Sequence, residues 1–244
     1  MQTKDLAICL RAVNFSETSQ VVTLLTRQRG KVAAMAKGSR RPKSSFDGAI
    51  QIFSFGPVVF TVKDSGGQLA TLTDFQQQPV FRGLHANLKA MNAALFATEL
   101  TTSFLEDHDP HPALFDKFIK FLETLQEAQD PTAMLTWLIL YQLRLLEETG
   151  QTPLLDGCTN CSADYSPDWK QAWFTSHANG LLCDGCEAAF AEKRKIKAAL
   201  IDPLRNPQKL PKTPHAQLTQ IEQLLIYHFT ELLHKPPKMA KYFS

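Results

Sequence analysis

Two Cys-x-x-Cys pairs, Cys158/Cys161 and Cys183/Cys186 with 21 residues between them, constrain this 244-residue chain more than any other feature. Two such knuckles let four thiolates converge on a tetrahedron, the arrangement zinc prefers at a Zn–S distance of about 2.3 Å. Thr159-Asn160 and Asp184-Gly185 inside the knuckles are small or turn-forming, which lets backbone N–H groups point at the sulfurs. Two disulfides and a redox pair are the competing readings. The start of the chain, Met1-Gln2-Thr3-Lys4-Asp5, has no basic stretch leading into an apolar one, so no secretory signal is visible and a reducing compartment is expected. Two redox pairs in one loop fit poorly. One zinc ion on Cys158, Cys161, Cys183 and Cys186 is therefore the expectation. Four thiolates leave no open position for water or substrate, so the ion is structural. It would staple residues 151–190, which read as an irregular insert. The fifth cysteine, Cys9, falls in a predicted strand and suits a buried apolar role.

The rest of the chain changes pattern once, near Pro79. Before it, Leu6–Val13, Gln20–Thr26, Lys31–Ala36, Ala49–Phe55 and Val58–Lys63 are short apolar runs. They are punctuated by Gly30, Gly38, Gly56-Pro57 and Gly66-Gly67. Several are rich in β-branched residues, and the intervals hold no long helical pattern, so a small barrel or sandwich is predicted. After Pro79, Leu84, Leu88, Met91, Leu95 and Phe104 recur at near-helical spacing, as do Leu114, Phe118, Leu122 and Leu125. Asp130-Pro131 reads as an N-cap with proline at the first helical position, and Gly150 as the stop of that helix. A last helix is predicted over about 214–234, ended by Lys235-Pro236-Pro237-Lys238. The class is thus α+β in two domains, 1–79 and 80–244, with the zinc element inside the second. The longest nearly apolar run, Met134–Tyr141, is far short of the roughly 20 residues a bilayer crossing needs, so no membrane role is expected.

The formal net charge of +2 hides a segregation. Residues 1–80 carry 10 Lys+Arg against 5 Asp+Glu, residues 81–157 carry 5 against 11, and residues 158–244 carry 11 against 8. The basic head is concentrated further: Arg27, Arg29, Lys31, Lys37, Arg40, Arg41 and Lys43 are seven cations with no acid among them. The last four surround Gly38-Ser39-Arg40-Arg41-Pro42-Lys43-Ser44-Ser45, predicted to be a mobile loop that folds onto phosphates. Phe46, beside that loop, is the best candidate to stack a base; Phe53, Phe55 and Phe60 suit a core. A solvated strand edge that resists aggregation is the bland alternative. Seven cations without an acid favour nucleic acid. The acidic middle segment is expected to coat the helical bundle.

Nothing in the sequence argues for turnover. The seven histidines are scattered, with no His-Glu-x-x-His, and there is no Gly-x-Ser-x-Gly. A phosphate-binding loop ending at Lys31 would need glycine where Leu25 stands.

Taken together, Ser16-Glu17-Thr18, Thr26-x-x-x-Gly30-Lys31 and Ala36-Lys37-Gly38-Ser39-Arg40-Arg41-Pro42-Lys43-Ser44 resemble the N-terminal signature of RecO, the bacterial recombination-mediator family. The resemblance continues through Gly150-x-x-Pro153, the cysteine pairs and the Lys235–Lys238 tail, over nearly the whole chain. It implies an N-terminal OB-fold, an α-helical domain and an embedded zinc finger. It also implies a non-enzymatic role in DNA repair and recombination. That role comprises binding of single- and double-stranded DNA, strand annealing, a complex with RecR, and contact with the C-terminal tail of the single-strand-binding protein. It extends to help in loading RecA, in the cytoplasm at the nucleoid. A zinc-dependent nucleic-acid enzyme, an RNA-binding factor and a protein-interaction scaffold are the other classes.

Overall fold

A computed structural model describes residues 2–62 and 69–243. The predicted turn at Gly66-Gly67 and the end of the predicted run at Lys63 lie outside them. Five strands, β1 (Gln2–Asn14), β2 (Gln20–Thr26), β3 (Gly30–Ala36), β4 (Phe55–Thr61) and β5 (Ala70–Phe75), close a barrel in the order β1-β2-β3-β5-β4. β3 and β5 pair in parallel and the other pairs are antiparallel, an OB-like barrel. β3 alternates buried and half-buried residues along its length, as a strand with one face on a core must. The interior mixes small and large side chains, including Ala7, Cys9, Leu24, Ala34, Phe46, Phe60 and Phe75. Cys9 is fully buried, and that burial pushes its thiol up to about 12, so it stays a neutral apolar filler.

The predicted strand at 49–55 is corrected. Only Phe55 is in a strand; residues 49–54 turn beside β1, with Phe53 in the left-handed region at φ 66°. Phe53 N–H donates to the Cys9 carbonyl and Cys9 N–H to the Ser54 carbonyl, so the segment is tied to β1 without continuing as a strand.

The helices are α1 (Leu88–Phe104), α2 (Pro112–Glu127), α3 (Pro131–Glu148), α4 (Ala198–Arg205) and α5 (His215–Leu233). α3 starts and stops as read from sequence. Asp130 accepts from the Thr132 and Ala133 N–H groups, and Gly150 sits at φ 69° where the chain leaves the helix. Such a cap contributes about 1 kcal/mol. α5 ends at His234, left-handed at φ 54°, just before Pro236-Pro237.

Residues 151–190 are not irregular. β6 (Leu154–Cys158), β7 (Ala172–Thr175), β8 (Gly180–Cys183) and β9 (Arg194–Ile196) form a sheet in the order β6-β8-β7-β9. These strands are three to five residues long, too short for a periodic pattern to mark them.

The chain forms two compact units. One is Met1–Leu88 with Phe104–Glu127; the other is Lys89–Ser103 with Ala128–Ser244. The barrel unit takes in residues 104–127 because acids there meet barrel cations. Arg27 donates twice to Asp116, each bond 2.8 Å, and Lys31 pairs with Asp107 at 3.3 Å. Gly30 makes the approach possible: at φ 68°, an added Cβ would lie 2.1 Å from the Asp109 carbonyl oxygen. Part of the acidic middle segment thus neutralises the barrel, a correction to its expected role as a coat on the helical bundle.

In the second unit, Gln142 of α3 donates to Glu222 of α5 at 2.8 Å in a fully buried setting. Burial pushes the Glu222 carboxyl up to about 8, against the Gln142 hydrogen bond, which lowers it. The folded state therefore holds a proton that the unfolded chain releases near the ordinary glutamate range. This contribution to stability is full below that range and is lost as pH rises through about 8. Glu222→Gln keeps the shape and removes the charge. Its melting temperature relative to the parent should rise between pH 5 and pH 8, by on the order of a few kcal/mol of stability. A difference that stays flat across this range contradicts the buried carboxyl.

Candidate nucleic-acid interface and metal centre

The basic loop is built around one buried amide. Gln20 begins β2 and is 5% exposed. Its Oε1 accepts from Ser39 Oγ and from Ile50 N–H, both at 2.9 Å, and its Nε2 donates to the Ile50 carbonyl at 3.1 Å. Ser39, at the centre of the basic turn, is fully buried. Arg40 N–H donates to the Thr18 carbonyl, and Arg40 Nη1 to the Ser16 carbonyl. Gly38, at φ 74°, brings the turn round, and Arg41 N–H bonds back to the Gly38 carbonyl. The predicted mobile loop is therefore an anchored one, fastened to β2 and to the β1–β2 turn.

This anchoring turns Lys37, Arg40, Arg41 and Lys43 outward. All four are exposed, and none is in an ion pair among the described residues. The seven cations are not one patch. β3 separates Arg27, Arg29 and Lys31 from the other four by about 20 Å, at roughly 3.3 Å per residue. At the near end Arg27 and Lys31 are engaged with Asp116 and Asp107. The Arg27 guanidinium holds the Asp116 carboxyl below its ordinary range. Arg29 is exposed at that end.

Phe46 is corrected as a stacking residue. It is 2% exposed and packs in the barrel core, so its ring cannot meet a base in this structure. Phe53 and Phe60 are buried too, and Phe55 packs edge-on against Phe81 at 5.8 Å. The ring that is available was missed: Phe15 is 68% exposed. It lies in the turn Asn14-Phe15-Ser16-Glu17-Thr18-Ser19 whose Ser16 and Thr18 carbonyls hold Arg40. The signal for it was a lone aromatic in an otherwise polar turn.

In the second unit, β6 delivers Cys158 and β8 delivers Cys183, on strands paired in parallel. The turns after them carry Cys161 and Cys186. The four sulfurs lie within 4.8 Å of one another, and Cys161 and Cys183 are 3.8 Å apart. A tetrahedron with metal–sulfur bonds of about 2.3 Å has edges of about 3.8 Å, so the cluster has the size to hold a metal ion. Burial would raise the Cys158 thiol, but N–H groups of Cys183, Cys161 and Asn160 turn to it and bring it down to about 6. Burial and the neighbouring thiols push Cys183 up to about 12. One thiolate is welcome and further ones repel it, which is the charge state that a divalent cation resolves. Among the described residues these are the only three or more His, Cys, Asp or Glu ligands grouped to hold a metal. Among the described residues, no helix is long and apolar enough to cross a membrane.

The family models for the N-terminal and C-terminal parts of recombination protein O match residues 1–78 and 85–240. The chain is 31% identical over 209 residues to a DNA repair protein RecO of Rhodopirellula baltica, covering 86% of this chain and 76% of the relative. It is 30% identical to that of Halalkalibacterium halodurans over 81% of this chain and 74% of the relative. For the protein of Bacillus pumilus the figures are 28%, 95% and 79%. With both family models matched in order across a barrel and a helical, four-cysteine unit, the chain belongs to the RecO family.

Proposed function

We propose that this chain is a non-enzymatic DNA-binding mediator of recombination in DNA repair, acting in the cytoplasm at the nucleoid. The observation that carries the reading is the loop of four exposed, unpaired cations, Lys37, Arg40, Arg41 and Lys43, on a barrel of the OB-like class. The names of the relatives, DNA repair protein, support it. Cations on an anchored loop bind phosphates without reading sequence, which is what annealing arbitrary complementary strands demands. Releasing condensed counterions also lowers the repulsion between two strands. Phe15 adds a base-stacking face beside the cations in place of Phe46. Arg29 extends the phosphate track, with Arg27 and Lys31 serving mainly to join α2 to the barrel.

The metal is one structural zinc ion on Cys158, Cys161, Cys183 and Cys186. It would fix the crossing of β6 and β8 and needs no part in any reaction. RecR is a partner, and RecA is served indirectly. The C-terminal tail of the single-strand-binding protein, acidic and apolar, is received on the second unit. A hollow of about 280 Å³ there, lined by Met134, Leu135, Phe243, Lys89, His215 and the buried Glu222, whose carboxyl burial keeps neutral, offers apolar walls with basic groups.

Three outcomes test this reading. Fluorescence anisotropy on single-stranded oligonucleotides of several sequences should show the quadruple Lys37→Ala, Arg40→Ala, Arg41→Ala, Lys43→Ala variant weakened alike on all of them. Its log–log salt slope should be flatter by about 3, from about 0.7 per lost phosphate contact. Unchanged affinity and slope defeat the loop. Phe15→Ala should lose on the order of 1–3 kcal/mol of single-strand affinity with the salt slope preserved, because stacking is not a charge term. The purified chain should carry one zinc per molecule, and Cys158→Ser should lose it and open 151–196 to protease. Stoichiometric zinc in a chain lacking all four cysteines contradicts the site.

A further inference from the structure

The four-stranded sheet of the second unit carries a second concentration of positive charge. Lys193-Arg194-Lys195-Ile196-Lys197 places four cations in five residues on and beside β9, an edge strand. Two of them are turned to the protein. Lys193 pairs with Glu187, and the Arg194 guanidinium lies 4.1 Å from the centre of the Tyr227 ring. Ile196 is buried; Arg194 is exposed, and so are Lys195 and Lys197 on either side of Ile196. Neither is in an ion pair among the described residues, and neither is Lys170, which faces the same hollow.

That hollow has a volume of about 490 Å³, and its floor is aromatic. Tyr165 and Trp169, both half-buried, pack edge to face with ring centres 5.4 Å apart. Arg205 lies over the Tyr165 ring at 5.6 Å while it pairs with Asp156, which helps to hold the ring in place. Gln171 Nε2 donates to the Ala172 and Ile196 carbonyls and stitches β7 to β9 beneath. Among the described residues no acid lines the hollow; Asp168, the nearest in sequence, accepts from Ser166 Oγ. Lysines that only guard a strand edge against aggregation need no aromatic floor beside them. A volume of this size admits one base and its sugar.

We propose that this hollow is a second single-strand-binding site. One base stacks on Trp169, with Tyr165 set at 73° to that ring as a side wall, and the flanking phosphates meet Lys170, Lys195 and Lys197. The inference rests on the reading of the barrel loop as the first DNA site. Because the two sites belong to different compact units, one chain has a place for each of two strands. The loop captures a strand, and the zinc-stapled sheet takes its complement.

The test uses the full-length, zinc-loaded chain and three variants: Trp169→Ala, Lys195→Glu with Lys197→Glu, and the quadruple loop variant. A single strand substituted with 5-iodouracil is photocrosslinked, and the adducts are mapped by mass spectrometry. Separately, an immobilised strand measures capture of a second, non-complementary labelled strand. The expected result is adducts within residues 165–171 in the parent chain. Both hollow variants should lose at least fivefold of second-strand capture while first-strand affinity stays within twofold and zinc content is unchanged. Trp169→Phe should restore capture, which a merely structural role for the ring would not predict. An absence of adducts at 165–171, or full capture by both hollow variants, overturns the proposal, including in the case where the hollow takes a protein segment instead. If the loop variant keeps its affinity while adducts at 165–171 persist, the barrel reading fails and the second site stands.

Discussion

Like charges gathered on one loop repel, and the buried amide of Gln20 is what keeps them together. Its oxygen takes the Ser39 hydroxyl and the Ile50 N–H, and its nitrogen takes the Ile50 carbonyl. The loop that bears Lys37, Arg40, Arg41 and Lys43 is thereby closed at both ends on β2. An amide suits this post because it satisfies donors and acceptors without adding a charge, and a buried group left unpaired here would cost about 1–3 kcal/mol. None of the four is in an ion pair among the described residues. Their charge stays available to an anionic partner, whereas Arg27 and Lys31, across the length of β3, are engaged by Asp116 and Asp107.

The second unit solves a different problem with the same economy of parts. A sheet of three- to five-residue strands buries Phe174, Leu181, Leu182 and Ile196. The four sulfurs, grouped closely enough to hold a metal ion, bring the ends of β6 and β8 together beside that buried face. That stapled sheet then presents β9 at its edge, with Ile196 inward and Lys195 and Lys197 outward over the Tyr165–Trp169 floor. Cysteine cluster, sheet and basic edge are one chain of consequences.

The sequence made some of this legible and hid the rest for physical reasons. The cysteine cluster was readable because ligand spacing is a local property. So was α3, whose Asp130-Pro131 cap and Gly150 stop are local too. The barrel strands β2 and β3 were readable by alternation. Residues 49–54 were not, because an apolar run says nothing about Phe53 adopting a left-handed φ. Phe46 was misplaced because proximity to a loop in sequence does not reveal which way a ring turns; it turned into the barrel, and Phe15 turned out. The pairing of Asp107 and Asp116 with the barrel was not readable, because it is non-local. It depends on Gly30 leaving room for the backbone of Asp109. The β6–β9 sheet was missed because its strands are shorter than any period.

The central claim is that phosphate capture by the anchored loop is what lets this chain bring strands together. The most direct measurement is the annealing rate of complementary strands coated with single-strand-binding protein, with the zinc-loaded chain and with its quadruple loop variant at equal concentration. The account predicts that the parent chain accelerates annealing and that the variant loses at least tenfold of that acceleration while its melting temperature is retained. Equal rates from the two proteins, or no acceleration by the parent, contradict it.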